Sequence, residues 1–563
     1  MADKTTPRLL WAVLAGWALL NWLQAALTPA DPDEAYYRLY SLQPAWGYFD
    51  HPPMLALIIA AGRYALDNAF GIRLLLPLLQ AVSVGLIWRL AGSPQEPRRF
   101  LLLAAILGAM PMFEVYGFIA APDAPLLFFG VLFFVAYRFF LQKPGLTSAL
   151  WLGACMAALL YSKYHGVLLI FFTLLSNLSL LRQPWFYVAS FFGFGLFFPH
   201  LYWQFAHEFP SFRYHLQGRD DPYELKHTVN YLINQVVIFS PLLFPLWVMA
   251  LARRRPADQL ERAYYFVIGG FLLFFLWTTS KGHVEPQWTC LLSIPLAILL
   301  FRYSDGRPVF TAWLWRLSLL SIALILIFRI ALAVDALRPA QLNKQFLHKT
   351  WVQALLDEAG THPVVFQNSY RLAAVYALYT GQTAYTFTDA DYRKSQFDIW
   401  EGEKALQHKK VLIAAQKDLG CPGCKTLKKD RQQFKLYWLD SLEVTQKVQL
   451  EAKTTPADWF PGKQVSLPVA FFNPYPHSIA LGKGENPIGL AAMFFANNED
   501  VVFASAETAL RVLPPGDTVT ATLHFRVPPR LWPGPYHWAL GLKTGALPPA
   551  VNSRTLPVTL LGK

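Results

Sequence analysis

LLWAVLAGWALLNWLQAAL (Leu9–Leu27) leads, after a three-residue link, into DPDEAYYRLYSLQPAWGYFDHPPM (Asp31–Met54). The apolar run is long enough to cross a bilayer. Lys4 and Arg8 precede it as they would a secretory leader, yet no small-residue cleavage pattern follows. It therefore reads as an uncleaved first helix with a cytoplasmic N-terminus. The loop after it carries the carboxylates Asp31, Asp33, Glu34 and Asp50, with Arg38, His51, Tyr36 and Tyr37 among them. Charge of this density beside a membrane segment is costly and points to chemistry at the membrane surface. Alone, Asp33–Glu34 would read as solvated helix-end carboxylates. The second element, GYFDHPPM (Gly47–Met54), tips the reading toward a site.

Further along, apolar runs crowd the first 335 positions. Of the 563 residues, 54% are hydrophobic and only 15% charged. This is the composition of a mainly α, polytopic membrane protein with a soluble tail. Spans are expected at 72–91, 100–118, 124–141, 147–162, 166–181, 184–205, 229–251, 263–279, 286–301 and 310–332, about eleven with the first. Residues 55–66 are too short to cross and are placed at the interface.

The net charge of +13 does not signal nucleic acid. Arg98, Arg99, Arg138, Lys143, Arg182, Arg253 to Arg255, Arg302 and Arg307 sit in short loops between apolar runs, the distribution that orients a membrane protein. No Gly-rich phosphate loop follows a predicted strand, which argues against a nucleotide-driven pump. Alternating the spans from a cytoplasmic N-terminus gathers these basic loops on the cytoplasmic side. The other side collects the opening loop, Asp123, the Lys163–His165 turn, the 207–228 loop, the Lys281–Glu285 turn and the tail.

The tail divides again, after a membrane domain at 1–335. Residues 336–440 predict a small α/β unit: a helix at Gln341–Glu358, a strand in HPVVFQ (His362–Gln367), a helix at Arg371–Tyr379 and a buried strand in KVLIAAQ (Lys410–Gln416). Residues 441–563 show short alternating runs, QVSLPVAF (Gln464–Phe471), TVTATLHFRV (Thr518–Val527) and YHWALGLKT (Tyr536–Thr544). Pro461-Gly462, Pro515-Gly516 and Pro533-Gly534 punctuate them, which predicts a β-sandwich accessory domain. Cys155 and Cys290 lie in apolar runs and read as packing residues. Cys421 and Cys424, in CPGC, supply too few ligands for a structural zinc and read better as a tight disulfide, given a tail outside the cytoplasm.

DEAYY (Asp33–Tyr37), GYFDHPP (Gly47–Pro53), AAPDAPLLFF (Ala120–Phe129) and YSKYHG (Tyr161–Gly166) together resemble the GT-C glycosyltransferases that use polyprenyl-phosphate sugars. The near relatives are the lipid A aminoarabinose transferases and the protein O-mannosyltransferases. The resemblance covers roughly residues 8–335 and continues weakly through 360–415, where YRKSQFDIW (Tyr392–Trp400) also looks familial; the β-sandwich lies outside it. It implies Asp33 as the catalytic carboxylate, Asp123 as the second acid, and a sugar carried on a polyprenyl (in bacteria, undecaprenyl) phosphate. The chain departs from the aminoarabinose pattern at two positions. Tyr36 stands where that family places an Arg for the donor phosphate, and His51 stands in the Lys position before Pro-Pro, closer to the mannosyltransferases.

The chemistry agrees with this resemblance. Outside the cytoplasm there is no nucleotide-sugar supply, so the sugar must arrive on a lipid phosphate. The acceptor hydroxyl needs a base, for which Asp33 is the candidate. The departing phosphate needs fixed cations, for which Lys163, His165, Arg38, His51, Lys281 and His283 are the candidates. One in-line displacement inverts the anomeric centre, whereas a double displacement needs a carboxylate nucleophile, a role only Asp123 could fill.

Each of these has a blander reading. Asp123 could be the N-cap of the fourth helix, Lys163 a snorkelling lysine, and Lys281, His283 and Glu285 a polar turn. The 207–228 loop, with three histidines and Asp220-Asp221, reads as a substrate cover in which Arg213 and Arg219 help hold the donor. Its spacing matches no ligand pattern, so a divalent metal stays open and no cofactor is assigned. The expected partners are the polyprenyl-phosphate-linked sugar, membrane lipid and an envelope acceptor (lipid A, another glycolipid, a glycan or a protein). The expected location is the bacterial inner membrane, with the tail periplasmic. The alternative is a transporter or flippase for a lipid-linked saccharide, which would spread charge through the helices and show inverted repeats.

Overall fold

The computed structural model describes residues 5–217, 222–421, 423–429, 431–453, 458–496 and 501–562. The chain divides into two compact units, Met1–Phe346 and Leu347–Lys563.

The first unit is helical and belongs to a multi-pass membrane protein. Among the described residues, five helices are long and apolar enough to cross a bilayer: Arg8–Leu27, Ala69–Leu90, Asp123–Gln142, Gln259–Lys281 and Pro308–Ala333. Shorter apolar helices include Met54–Ala65, Leu146–Ser162, Gly166–Ser176 and Phe244–Arg253. Several expected single spans are divided. The 100–118 run becomes Pro97–Gly108 and Pro111–Val115, and 229–251 becomes Leu225–Ile238 and Phe244–Arg253, parted around Ser240-Pro241. Proline lacks the N–H that continues a helix and clashes with the turn before it. The 286–301 run opens as a tight 3-10 stretch, Pro286–Leu292, before relaxing into Ser293–Tyr303.

Helices Leu146–Ser162 and Pro184–Ala206 meet backbone to backbone. A Cβ added to Gly153 would lie 2.4 Å from the Ala189 carbonyl oxygen, so glycine is what permits the approach. Basic loops that are distant in sequence come together at one end. Arg99 pairs with Asp305, Arg254 and Arg302 share the buried Glu261, Arg302 also donates to the Leu90 carbonyl, and Arg138 donates to that of Arg89. This is the grouping that the charge pattern anticipates.

The second unit begins with a five-stranded sheet in the order Tyr385–Phe387, Val364–Gln367, Val411–Ala415, Gln432–Leu439, Lys425–Lys429. Its first three strands are parallel and its last two antiparallel. Helix Tyr370–Thr380 is capped by Ser369 and closed by Gly381 in the left-handed region (φ 69°). The β-rich remainder forms a seven-stranded antiparallel sheet and a two-stranded ribbon. The sheet curls until Leu450, in one edge strand, bridges Ser553, just before the other. Gly462, Gly516 and Gly534 all take positive φ after their prolines, the conformation these turns need. One apolar core serves both parts of the unit, joining Val365, Ile413 and Leu439 to Val469, Phe525 and Trp538. Cys421 and Cys424 form a disulfide.

Candidate active site

The opening loop folds into a short helix, Pro32–Leu42, because its first residues satisfy their own backbone. Asp31 is the N-cap and accepts from the Asp33 N–H at 2.8 Å, while Glu34 accepts from the Asp31 N–H at 2.8 Å, a capping box with proline at the first helical position. Gln345 adds a hydrogen bond to the second oxygen of Asp31. Neither capping role falls to the Asp33 side chain. Its helical face is shared with Tyr36 and Tyr37, three and four residues on. Tyr37 lies against His51, ring centroids 5.6 Å apart, and Tyr40 stacks on Tyr48 at 4.1 Å. The GYFDHPP loop is thereby folded back onto the helix that carries Asp33.

Arg38 is five residues beyond Asp33, about 140° around the helix. It pairs with Asp67 at 3.0 Å, which Arg63 also grips at 2.8 and 3.0 Å, so it is turned from the Asp33 face. The hydrogen bond from Arg63, with Arg38 adding its charge, holds the Asp67 carboxyl down to about 2. A depressed acid stabilises the fold above its unfolded value of about 4 and loses that contribution as pH falls toward its folded value. Asp67→Asn is therefore expected to lower the thermal midpoint near neutral pH. The difference should close as pH drops through about 4 to 2, which melting curves across that window would check.

Asp123 begins its helix but does not cap it; the N-cap is Pro122, without a side-chain bond. Both Asp123 oxygens accept from Lys163 Nζ at 2.8 Å, with both side chains nearly excluded from solvent, and Cys290 Sγ lies 3.4 Å from one of them. The structure therefore joins two residues that the sequence offered separately. Glu34 accepts from the Ala120 N–H, which ties the opening helix to the backbone before Asp123, while Cys290 at Asp123 and Trp288 at His165 bring in the Pro286–Leu292 stretch that follows Glu285. His165 packs between Phe275 (5.4 Å) and Trp288 (5.2 Å). In the Lys281–Glu285 turn Lys281 is exposed over the ring of Trp277 at 5.1 Å, and His283 faces Glu285 at 3.9 Å.

Helix Pro210–Gln217 lies over the GYFDHPP loop. Ser211 Oγ donates to the Tyr48 carbonyl at 3.0 Å, His215 Nε2 is 3.2 Å from the Asp50 carbonyl oxygen, and Tyr214 meets Phe49. Behind it Gln204 bonds both Ser211 and the Tyr164 hydroxyl, and Tyr164 meets His200, whose other nitrogen faces the Trp46 carbonyl at 2.7 Å. Asp50 is buried under this cover. Arg213 pairs with exposed Glu208, away from the cluster. Arg219 and Asp220-Asp221 lie outside the described residues. Gly47 is a contact point, since a Cβ there would stand 2.4 Å from Trp203 and 3.0 Å from His200. Gly47→Ala is expected to lift the loop from this seat and cost about 1–3 kcal/mol, read as a lowered thermal midpoint.

Sequence reading passed over Arg73, Glu114, Arg329, His200 and Gln204. Arg329, deep in the last apolar run, carries a signal, as does Glu114 in the 100–118 run: an arginine at that depth demands a buried acid. It has one, Glu114 at 2.6 Å, with Asn21 accepting at 2.8 Å and Gln24 at 3.3 Å.

Residues 50–203 match the family model described as dolichyl-phosphate-mannose-protein mannosyltransferase. That segment takes in Asp123 and Lys163 and begins after Asp33. The crystal structure of ArnT from Cupriavidus metallidurans bound to undecaprenyl phosphate superposes with a TM-score of 0.54 at 13% identity, covering 76% of this chain and 97% of that one. The apo form of ArnT gives 0.56 at 12% identity with the same coverage. No curated protein matches the chain. The likeness is one of fold: the chain shares the fold of ArnT.

Proposed function

We propose that this protein is an integral membrane glycosyltransferase that moves a sugar from a polyprenyl-phosphate carrier to a cell-envelope acceptor on the periplasmic face. The observation that carries the reading is that the Asp33 helix packs on the GYFDHPP loop and is tied through Glu34 to the backbone leading into Asp123, which pairs with Lys163 and meets Cys290, five residues past the Lys281–Glu285 turn. The undecaprenyl phosphate held by the ArnT structure supports a polyprenyl donor here.

Asp33 takes the proton of the acceptor hydroxyl as that oxygen attacks the anomeric carbon. The bond from that carbon to the phosphate oxygen breaks, and the lipid phosphate leaves with the electron pair. His51, Lys163, His165, Lys281 and His283 are the side chains available to the leaving group. Lys163 directs two donor contacts to Asp123, which favours a pair that sets the local field over a free ammonium. The same contacts occupy both Asp123 oxygens, which favours one in-line displacement with inversion over a route through an Asp123 ester.

The translocation reading has less support. Two charges found deep in the helices, Glu114 and Arg329, hold each other, and Arg329 also donates to Asn21 and Gln24, as expected of helix-to-helix ties. Mass spectrometry of envelope lipids and glycans from cells with and without the protein tests the proposal. The expected result is one glycosylated species lost with the protein and restored by the wild-type copy but not by Asp33→Asn. An unchanged envelope profile would count against the reading.

A further inference from the structure

Glu34 and Arg73 form an ion pair that water does not reach, their side chains 1% and 0% exposed. A guanidinium has five N–H groups, and those of Arg73 donate to Glu34 and to three carbonyls. Nε donates to Glu34 Oε1 at 2.7 Å. Nη1 donates to the carbonyls of Ala25 at 3.0 Å and Thr28 at 2.7 Å, and Nη2 to the carbonyl of Pro29 at 2.9 Å and to Glu34 Oε2. Glu34 also accepts from the Asp31 N–H and, at 2.7 Å, from the Ala120 N–H. The pair thus joins three pieces of chain: the end of the first membrane helix, the start of the helix that carries Asp33, and the backbone that leads into Asp123.

A capping box needs only the glutamate. Burying a guanidinium opposite it adds a desolvation cost that a complete hydrogen-bond set offsets without a large gain in stability. What the arrangement does supply is fixed geometry between two segments that each carry an acid of the site. With Glu34 bonded on every side, its carboxylate is a poor candidate to touch substrate.

We propose that Glu34 and Arg73 are positioning residues: their buried pair holds the Asp33 carboxylate in register with the Asp123–Lys163 pair. The inference rests on the reading of Asp33 as the base.

Three variants test it in a reconstituted transfer assay: Glu34→Gln, Arg73→Met and the double Glu34→Gln/Arg73→Met. In folded Glu34→Gln, kcat is expected to fall by about 10- to 100-fold, the effect of displacing a reacting group by roughly an ångström. The donor KM should stay within about threefold, because the pair is sealed from solvent and from a bound donor. The acidic limb of the rate–pH profile separates positioning from bulk stability. Glu34→Gln leaves an unmatched guanidinium near Asp33 and should move the limb to lower pH; Arg73→Met leaves an unmatched carboxylate and should move it higher. The double variant, neutral at both positions, should return the limb to its wild-type place while kcat stays low. It also carries the test if either single variant does not fold.

Wild-type kcat in the folded Glu34→Gln or double variant, or limbs that move together in the two singles, would overturn the proposal. Asp33→Asn in the same assay keeps the two ideas apart. Activity retained there sinks the base assignment. An inactive Asp33→Asn beside a wild-type-like Glu34→Gln sinks only the positioning role.

Discussion

Replacing Asp33 by asparagine is expected to reduce sugar transfer by about 10²- to 10⁴-fold, the usual contribution of a positioned general base, and to leave the fold intact. The local structure explains why the two effects separate. The N-cap bond belongs to Asp31 and the reciprocal bond to Glu34, and only the backbone N–H of Asp33 takes part, which asparagine keeps. Asparagine matches the carboxylate in shape but cannot accept a proton. Transfer rate and thermal midpoint measured on one preparation check both halves. A variant with full activity would remove the base from the scheme, and one that failed to fold would show that the side chain does structural work.

Lys163→Ala is expected to have the largest effect on stability, about 3–5 kcal/mol, because it strands the buried Asp123 carboxylate without its partner. That loss alone would say nothing about donor phosphate. The informative variant is Asp123→Asn/Lys163→Met, which removes both charges and should recover much of the thermal midpoint. If the Lys163 ammonium contributes to holding the lipid phosphate, the double variant folds yet binds a polyprenyl phosphate more weakly than wild type. Recovered stability with unchanged donor affinity would assign the pair to structure. The same comparison bears on the order of bond changes, since an inverting reaction has no need of Asp123 as a nucleophile.

The membrane architecture was legible because apolar runs and basic loops are long, additive signals. The paired loops Arg99–Asp305 and Arg302–Glu261 follow the charge pattern along the chain. The tail strands at Val364–Gln367, Val411–Ala415, Gln464–Phe472, Thr518–Arg526 and Gly534–Thr544 lie where alternation and Pro-Gly turns predict them. Helix continuity was less legible. An apolar run through Pro111 or Pro241 has the composition of a span, and the missing N–H favours a stop there, yet Pro199 sits inside the unbroken Pro184–Ala206 helix, so packing decides which prolines end a helix.

At the site, motifs identified the elements but not their pairings. Asp123 and Lys163 are forty positions apart, and no periodicity within either segment couples them. Arg73 stands at the head of an apolar run, where it reads as a boundary charge. That it folds inward onto Glu34 follows from tertiary packing that brings Ala25, Thr28 and Pro29 around it. Arg38, chosen for its place in the loop, is drawn off by Asp67, a residue its own segment does not contain.

The central claim is that this cluster breaks the bond between a sugar and its lipid phosphate. The direct measurement uses purified protein in vesicles loaded with a polyprenyl-phosphate-linked sugar, with an envelope extract as acceptor and both lipid products followed by mass spectrometry. The expected result is release of free polyprenyl phosphate matched mole for mole by a glycosylated acceptor, both abolished by Asp33→Asn. Intact lipid-linked sugar crossing to the opposite leaflet, with no polyprenyl phosphate released, would contradict it.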